Sequence, residues 1–216
     1  IWVLLQSTAL TAFAQAGYES ISIAQGLSQG MVFDIMQDKD GFIWVATKNG
    51  LNRYDGYDFK VFTNDPYDDR SLSSNTTLKL FEDSKGRIWA GTENAGVNIY
   101  DKTNGKFYRI TQNASTAGLS GNDIKGITEL PDGRILIATD NKGLDIVSLT
   151  NNFFEKDEVP VITKLQLPNN VAVYGMGKDK NNNMWIGGMD GAMYRFNVSN
   201  NSFEPLPGDG RAIGVP

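Results

Sequence analysis

The sequence predicts an all-β fold, a β-propeller made of four-stranded antiparallel blades. Three observations lead to this prediction. A unit of about 45–49 residues recurs four times along the chain, short alternating apolar segments fill each unit, and Asp-Gly or Asn-rich turns separate those segments. About four blades are present, and we expect them to form an incomplete ring.

Each unit carries one large apolar residue at an equivalent place: Trp44, Trp89, Leu136 and Trp185. A residue that recurs once per blade is typical of packing between blades, because a single blade cannot bury its own faces. The leucine at 136 favours this interpretation over ligand stacking, since leucine fills a core as tryptophan does but offers no aromatic platform. We therefore expect all four residues to lie between blades.

The predicted strands follow the same order in every unit. First strands are expected at 32–37, 78–82, 124–129 and 171–177, and second strands at 43–47, 88–92, 135–139 and 185–188. Third strands such as 51–54 and 97–100 follow a glycine turn. Outer strands are expected at 59–62, 107–110 and 202–206, and at 161–165 in the third unit, where a longer insert precedes the strand.

Residues 1–16 carry no charge and end in Ala14-Gln15-Ala16. An apolar run before such a small-x-small sequence indicates a secretory signal peptide, here lacking its basic beginning. A short buried strand or helix is the alternative. Residues 17–216 would then form a partial propeller sensor domain, with 18–23 as a ring-closing outer strand and blades at about 26–70, 71–117, 118–167 and 168–210.

Composition excludes several kinds of chemistry. The chain has no Cys and no His, so it cannot build thiolate metal sites or a Ser-His-Asp triad. Its net charge of −5 argues against a nucleic-acid surface. We predict no catalytic residue, no metal site and no cofactor. The acidic stretches 38–41 and 65–69 are interpreted as a hairpin turn and a solvated loop, with a calcium-loop start and a cation site as the respective alternatives.

The repeat resembles that of the two-component regulator propeller family. That family's pattern of Gly-Leu-Ser, Asp-x-x-Gly, Ile-Trp and Asn-Gly-Leu appears in the first unit at 26–28, 38–41, 43–44 and 49–51. The second unit matches it at Asp83, Gly86, Ile88-Trp89 and Gly91-Thr92. The third unit departs at Leu136 and Ala138, and the fourth lacks Gly-Leu-Ser and has Gly188 in place of Thr.

The resemblance implies the periplasmic ligand-sensing region of a receptor whose parent protein is anchored in the inner membrane. In that family the propellers precede an immunoglobulin-like domain, one membrane span and an output module, typically a histidine kinase and often a hybrid one. It also implies an oligosaccharide as the ligand class. The expected partners are therefore an oligosaccharide, the rest of the receptor chain and, as an open alternative, a second copy in a homodimer.

Propeller topology places the turns between second and third strands on the same face as the connections between blades. We predict that this face binds the ligand, because its amides and carboxylates can hydrogen-bond sugar hydroxyls. The alternative is that they are ordinary turn residues chosen for local backbone bonding. The candidate ligand-binding residues are Asn49, Glu93, Asn94, Asp140, Asn141 and Asp190.

Two other functions stay open at this point. One is a secreted polysaccharide-processing enzyme, which would need paired carboxylates or a Tyr/Arg pair that the sequence does not single out. The other is a scaffold whose faces bind protein. Propellers serve all three roles, so the fold does not decide among them.

Overall fold

The computed structural model describes residues 20–112, 118–140, 143–150, 153–156 and 158–206. The predicted signal peptide, 1–16, lies outside these residues. Within the described ranges, no helix is both long enough and apolar enough to cross a membrane.

Four separate sheets of four antiparallel strands each follow one another along the chain, which confirms the predicted fold class. Blade 1 contains β1 (Val32–Gln37), β2 (Ile43–Thr47), β3 (Gly50–Tyr54) and β4 (Phe59–Phe62). Blade 2 contains β5 (Thr77–Glu82), β6 (Ile88–Thr92), β7 (Val97–Asp101) and β8 (Lys106–Ile110). Blade 3 contains β9 (Ile124–Glu129), β10 (Ile135–Thr139), β11 (Gly143–Ser148) and β12 (Val161–Leu165). Blade 4 contains β13 (Val173–Lys178), β14 (Met184–Gly188), β15 (Met193–Asn197) and β16 (Ser202–Pro205).

The blades form an open arc. Each blade contacts the next chiefly through its first strand, so the first strands lie on the inner side of the arc and the last strands on the outer side. Among the described residues the sheets do not close into a ring. Blade 3 differs from the others in the connection to its outer strand, which contains a short helix, α1 (Phe153–Lys156).

The outer strand expected at 18–23 does not form over its described part. Residues 20–22 pair with no strand, and Ile23–Gln25 makes one turn of 3-10 helix. The Ser22 hydroxyl accepts a hydrogen bond from the Ala24 N–H, and the Gln25 side chain accepts one from the Ser22 N–H. No sheet of the described residues includes this segment, and local capping satisfies the N–H groups of Ser22 and Ala24 instead. A ring-closing role for this segment stays a prediction.

Three apolar clusters form the core, one between each pair of consecutive blades. Trp44 lies between blades 1 and 2, Trp89 between blades 2 and 3, and Leu136 between blades 3 and 4, and all three are fully buried. Trp185 points away from blade 3 and is only partly buried. In the first three blades the recurring large residue therefore packs between blades, as predicted, and for Trp185 this role stays a prediction.

A glutamate at the end of a first strand fastens its blade to the preceding one. The Lys39 N–H donates to Glu82 Oε2 at 2.8 Å, and the Ser84 N–H donates to Glu129 Oε2 at 2.8 Å. At the third junction the equivalent positions hold Pro131, which has no N–H, and Lys178. There the Arg134 guanidinium donates to the Val198 carbonyl instead, at 3.1 Å.

Candidate ligand-binding site

The turns between second and third strands share one face of the arc with the loops that enter the blades. The Gly50 N–H of blade 1 donates to the Asn75 carbonyl of the loop entering blade 2, at 2.6 Å. The Gly96 N–H donates in the same way to the Asn122 carbonyl at 2.8 Å, one blade further on. The backbone of this face is therefore held across blade junctions, while its side chains face solvent.

The candidate residues of the first two blades have their backbones fixed and their side chains open. The Asn49 N–H donates to Thr47 Oγ1 at 3.1 Å, and the Glu93 N–H donates to the Thr76 carbonyl at 3.0 Å. Asn94 has a φ of 62°, and its N–H donates to Asp123 Oδ1 at 3.2 Å. All three candidate side chains are exposed and make no hydrogen bond with another described residue.

The later blades place their candidates similarly. The Asp140 N–H donates to the Asp123 carbonyl at 2.9 Å, and its carboxylate is half-buried without a described partner. Asp190 is exposed, and its Oδ1 accepts the Ala192 N–H at 3.0 Å, as an ordinary turn residue would. Asn141 lies outside the described residues. The structure thus distributes the candidates over the turns of successive blades, and no hydrogen bond joins two of the described ones.

In the first three blades, a serine from the entry loop anchors this face to the third strand of its own blade. The Ser28 N–H donates to Asn52 Oδ1 at 3.0 Å, and the Asn52 amide donates back to Ser28 Oγ at 2.8 Å. Ser73 and Asn98 repeat the arrangement in blade 2. In blade 3 the partner is a carboxylate, and Asp145 accepts from both the N–H and the hydroxyl of Ser120 at 2.8 Å.

Asp145 is fully buried, unlike the carboxylates of the turns between second and third strands. Burial raises its pKa above the usual 3.8, although the two hydrogen bonds from Ser120 act in the opposite direction. Blades 1 and 2 bury no carboxylate at this position, because they have the neutral amides of Asn52 and Asn98 there. Asp145 therefore contributes to the framework beneath the face and is shielded from any ligand upon it.

The opposite face carries the Asp-x-x-Gly turns. Asp38 Oδ1 accepts the N–H groups of Asp40 and Phe42, and Oδ2 accepts the Trp44 indole N–H at 2.8 Å. Burial alone would raise the Asp38 pKa, but hydrogen bonds from Trp44 and Phe42, together with nearby Lys102, hold it below the usual value. Both oxygens serve the turn, which supports the hairpin interpretation of 38–41.

In the acidic loop at 65–69, carboxylates also cap local backbone. Asp65 Oδ1 accepts the Tyr67 N–H and Asp68 Oδ1 accepts the Arg70 N–H, each at 2.9 Å. This is the geometry of a self-capped surface loop.

A cleft of about 550 Å³ lies on the outer side of the arc, between β8 and the insert of blade 3. None of the described candidate residues lines it. Its main polar groups already have structural partners: Arg109 donates to the carbonyls of Asp68 and Ser71, and the Tyr108 hydroxyl donates to the Phe154 carbonyl at 2.9 Å. Despite its size, the cleft therefore offers a ligand fewer free polar groups than the turn face does.

Sequence reasoning missed one set of side chains near the turn face. Each first strand contains a β-bulge whose extra residue opposes no partner in the second strand; these residues are Phe33, Leu78, Lys125 and Tyr174. Tyr174 is 78% exposed and Phe33 is 40% exposed. Alternation of apolar and polar residues gives no sign of a bulge, so only the pairing register reveals them.

Comparison with known proteins adds independent information. A family model described as the two-component regulator propeller matches residues 26–49, 71–94 and 166–190, in the first, second and fourth units. Histidine kinase P4 of Formosa agariphila is 48% identical over 56 residues, which are 26% of this chain and 4% of that protein. This chain therefore corresponds to a small part of that kinase's length.

Solved structures share the architecture. The extracellular domain of a protein described as a hybrid two-component system of B. thetaiotaomicron is similar with a TM-score of 0.53 and 25% identity. The match covers 86% of this chain and 31% of that one. Virginiamycin B lyase from Staphylococcus aureus is similar with a TM-score of 0.60 and 17% identity, covering 83% and 57%. At that identity the lyase shows the fold alone. Three segments of this chain thus match the two-component regulator propeller repeat.

Proposed function

We propose that this chain is the ligand-sensing part of a bacterial two-component receptor, located in the periplasm, and that its ligand is an oligosaccharide. The observation that carries the proposal is the recurrence of two-component propeller repeats in a fold shared with the extracellular domain of such a system. The kinase relative supports the same assignment. Passing the signal onward is the role of the rest of the receptor chain.

The turn face offers the chemistry that such a ligand needs. Asn49, Glu93 and Asn94 present amide and carboxylate groups without internal partners, so they remain free to accept from or donate to sugar hydroxyls. Their backbones are tied to the framework, so binding immobilises only side chains. A ligand long enough to touch two turns would bridge neighbouring blades.

The test is a binding screen of neutral and acidic oligosaccharides against the full chain, by thermal shift and then by calorimetry. We expect at least one saccharide to raise the melting temperature. Glu93→Ala should weaken its binding about tenfold, the equivalent of 1.4 kcal/mol. Glu155→Ala, an exposed glutamate on α1, is the matched control and should bind as the unmodified protein does.

Two results would count against the proposal. If no saccharide shifts the melting temperature of the folded chain, the ligand class is wrong. If shortened saccharides accumulate during the titration, the chain is a polysaccharide-processing enzyme rather than a sensor. Unchanged binding in Glu93→Ala and in Asp190→Ala would remove the turn face from consideration and leave the sensing role open to another surface.

A further inference from the structure

The two end blades of the arc each have one face that no other described blade covers. Every blade has a forward face, directed at the blade that follows it in the chain, and a rear face, directed at the blade before it. At each junction an apolar cluster joins the forward face of one blade to the rear face of the next. None of these clusters of described residues includes the rear face of blade 1 or the forward face of blade 4.

The rear face of blade 1 has the apolar pattern of a face that packs on another blade. On the rear face of blade 2, the residues buried against blade 1 include Leu80, Tyr100 and Phe107. Their counterparts by strand register in blade 1 are Ile35, Tyr54 and Phe59. Ile35 is 64% exposed, and the rings of Tyr54 and Phe59 lie 4.7 Å apart and are only half-buried. An exposed apolar surface that repeats an interface found elsewhere in the chain indicates an interaction site.

The forward face of blade 4 matches the forward faces that receive such a pattern. In blade 1 the forward face includes Trp44, Leu51 and Phe62, all buried against blade 2. The residues at the same register positions in blade 4 are Trp185, Met193 and Leu206. Met193 is 41% exposed, Leu206 is exposed and Trp185 is half-buried. Trp44 contacts the Tyr100 ring of blade 2 at 5.4 Å, so Trp185 offers the corresponding surface to Tyr54 of another copy.

A glycine of blade 4 leaves room for a side chain of an incoming rear face. Met176 of blade 4 reaches so close to Gly126, on the forward face of blade 3, that a Cβ added to Gly126 would lie 2.9 Å from Met176 Cε. Gly175 is the equivalent of Gly126 in blade 4, and a Cβ added there would meet no described atom within 4 Å beyond its chain neighbours. Ile35 is the equivalent of Met176 in blade 1. The space over Gly175 therefore fits the Ile35 side chain of another copy.

Polar groups at the two faces also match. At the junction of blades 1 and 2, the Lys39 N–H donates to Glu82 Oε2 at 2.8 Å, and the Lys39 ammonium donates to the Asp83 carbonyl at 2.9 Å. Lys180 holds the position of Lys39 in the turn of blade 4 and forms no hydrogen bond with another described residue. Gln37 holds the position of Glu82 in blade 1, and its Oε1 accepts no hydrogen bond from a described group. Lys180 of one copy can therefore donate to Gln37 of another.

We infer that the chain binds a second copy of itself head to tail, with the forward face of blade 4 packed on the rear face of blade 1 of the other copy. Formed twice, this contact joins two four-bladed arcs into a ring of eight blades, within the range of about four to eight that propellers adopt. A heterologous contact of this kind closes only when the rotation between copies fits, and otherwise continues into a filament. The contact leaves the turn face open to solvent, so the inference does not depend on the proposed function.

The experiment is sedimentation velocity on the full chain at concentrations between about 1 μM and about 100 μM. We expect a species of twice the chain mass to grow as the concentration rises. Ile35→Asp, on the rear face of blade 1, and Gly175→Gln, on the forward face of blade 4, should each weaken association about tenfold or more. Val159→Asp changes an exposed apolar residue in the connection before β12, on neither face, and should associate as the unmodified chain does.

A mixture of the two variants distinguishes a head-to-tail contact from a symmetric one. The Ile35→Asp chain keeps an intact forward face on blade 4, and the Gly175→Gln chain keeps an intact rear face on blade 1. We expect the mixture to form dimers through this one remaining junction, although each variant alone stays monomeric at the same total concentration. These dimers should be weaker than those of the unmodified chain, which form two junctions at once.

Circular dichroism establishes that each variant is folded before sedimentation. A chain that stays monomeric over the whole concentration range overturns the inference. Dimers that persist in both variants, or that are lost in only one of them, place the contact on another surface and overturn it as well. If larger species form instead and both variants abolish them, the head-to-tail contact is correct and the closure into eight blades is wrong. None of these results bears on saccharide binding, which the thermal-shift screen decides separately.

Discussion

Leu130 and Leu136 occupy, in the third blade, the two positions where the other blades carry a hydrogen-bonded aspartate and tryptophan. Indole-to-carboxylate distances are 2.8 Å for Trp44 to Asp38, 2.9 Å for Trp89 to Asp83 and 3.1 Å for Trp185 to Asp179. Both leucines are buried between blades 3 and 4. Removing both partners of a buried hydrogen bond is nearly neutral, whereas removing one leaves an unsatisfied polar group.

A double-mutant cycle at Asp83 and Trp89 tests this coupling. We expect Asp83→Leu and Trp89→Leu each to lower the free energy of unfolding by about 2–4 kcal/mol, through lost packing and an orphaned polar partner. The double variant should lose less than the sum, by about 1–2 kcal/mol. Urea denaturation at constant m measures all three, and additivity within about 0.5 kcal/mol would refute the coupling.

Asp145 is expected to make the stability of blade 3 depend on pH. Folding raises its pKa, so the folded state holds the proton more strongly than the unfolded state does. Its contribution to stability is therefore greatest below pH 3.8 and declines as the pH rises through the folded pKa. Asp145→Asn gives blade 3 the amide that blades 1 and 2 have at this position and should stabilise the protein. The increase in the free energy of unfolding should grow between about pH 3 and about pH 7.

The reverse change in blade 2 serves as the control. Asn98→Asp would bury a carboxylate and remove the amide donor to Ser73 Oγ, lowering the free energy of unfolding by about 1–3 kcal/mol at neutral pH. Chemical denaturation at several pH values measures both variants. A pH-independent difference between Asp145→Asn and the unmodified chain would contradict this account.

Glu129, the blade-fastening glutamate between blades 2 and 3, is expected to stabilise the protein. The junction between blades 3 and 4 has Lys178 at the equivalent position and no such bond. Glu129→Ala removes the acceptor of the Ser84 N–H and hydroxyl and should lower the free energy of unfolding by about 1.5–3 kcal/mol. Lys178→Ala, at the equivalent position of blade 4, should change it by less than about 0.5 kcal/mol, because Pro131 has no N–H to lose a partner. If the two substitutions lower the melting temperature equally, the loss does not come from the hydrogen bond to the Ser84 turn, and the prediction is wrong.

The turn of blade 4 is expected to keep the hydrogen bonds of its Asp179 carboxylate until the pH is strongly acidic. Hydrogen bonds from the Asn183 amide and the Trp185 indole lower the Asp179 pKa to about 2. Because its folded pKa lies below the usual 3.8, its contribution is present above that value and is lost as the pH falls through about 2. The Trp185 indole N–H resonance, followed by NMR, should shift with that midpoint, and it should stay constant in Asp179→Asn.

Much of the fold could be predicted because the signals are local. Val161–Leu165 forms the outer strand of blade 3 as expected despite the preceding insert, since its alternation marks a strand wherever it pairs. The Trp-to-Leu change at 136 correctly indicated packing. Leu130 lies six residues before Leu136, at the position where the other units have an aspartate. The sequence shows this second change, but only the indole-to-carboxylate hydrogen bonds of the other blades show that the two changes are coupled.

The candidate site was less accessible to sequence reasoning. Turn residues such as Asn49 and Glu93 could be placed on one face, because strand order determines which turns lie together. The bulge residues could not, since a bulge depends on the pairing of five residues against six. Whether a lysine such as Lys125 has a partner is likewise a property of neighbouring blades rather than of its own strand.

Pro131 has a consequence for how such a chain can be rearranged. In blades 2 and 3 the first strand ends in a glutamate, which accepts an N–H from the turn of the preceding blade. The turn of blade 3 has Pro131 at the donor position and so provides no N–H. Placed after blade 3, a copy of blade 3 would bring Glu129 to a turn that has no N–H for it to accept, whereas blade 4, with Lys178, needs no such donor. The repeats are therefore not interchangeable modules. The first two junctions share one glutamate-to-turn hydrogen bond, and the third junction, with Pro131 and Lys178, is the one that differs.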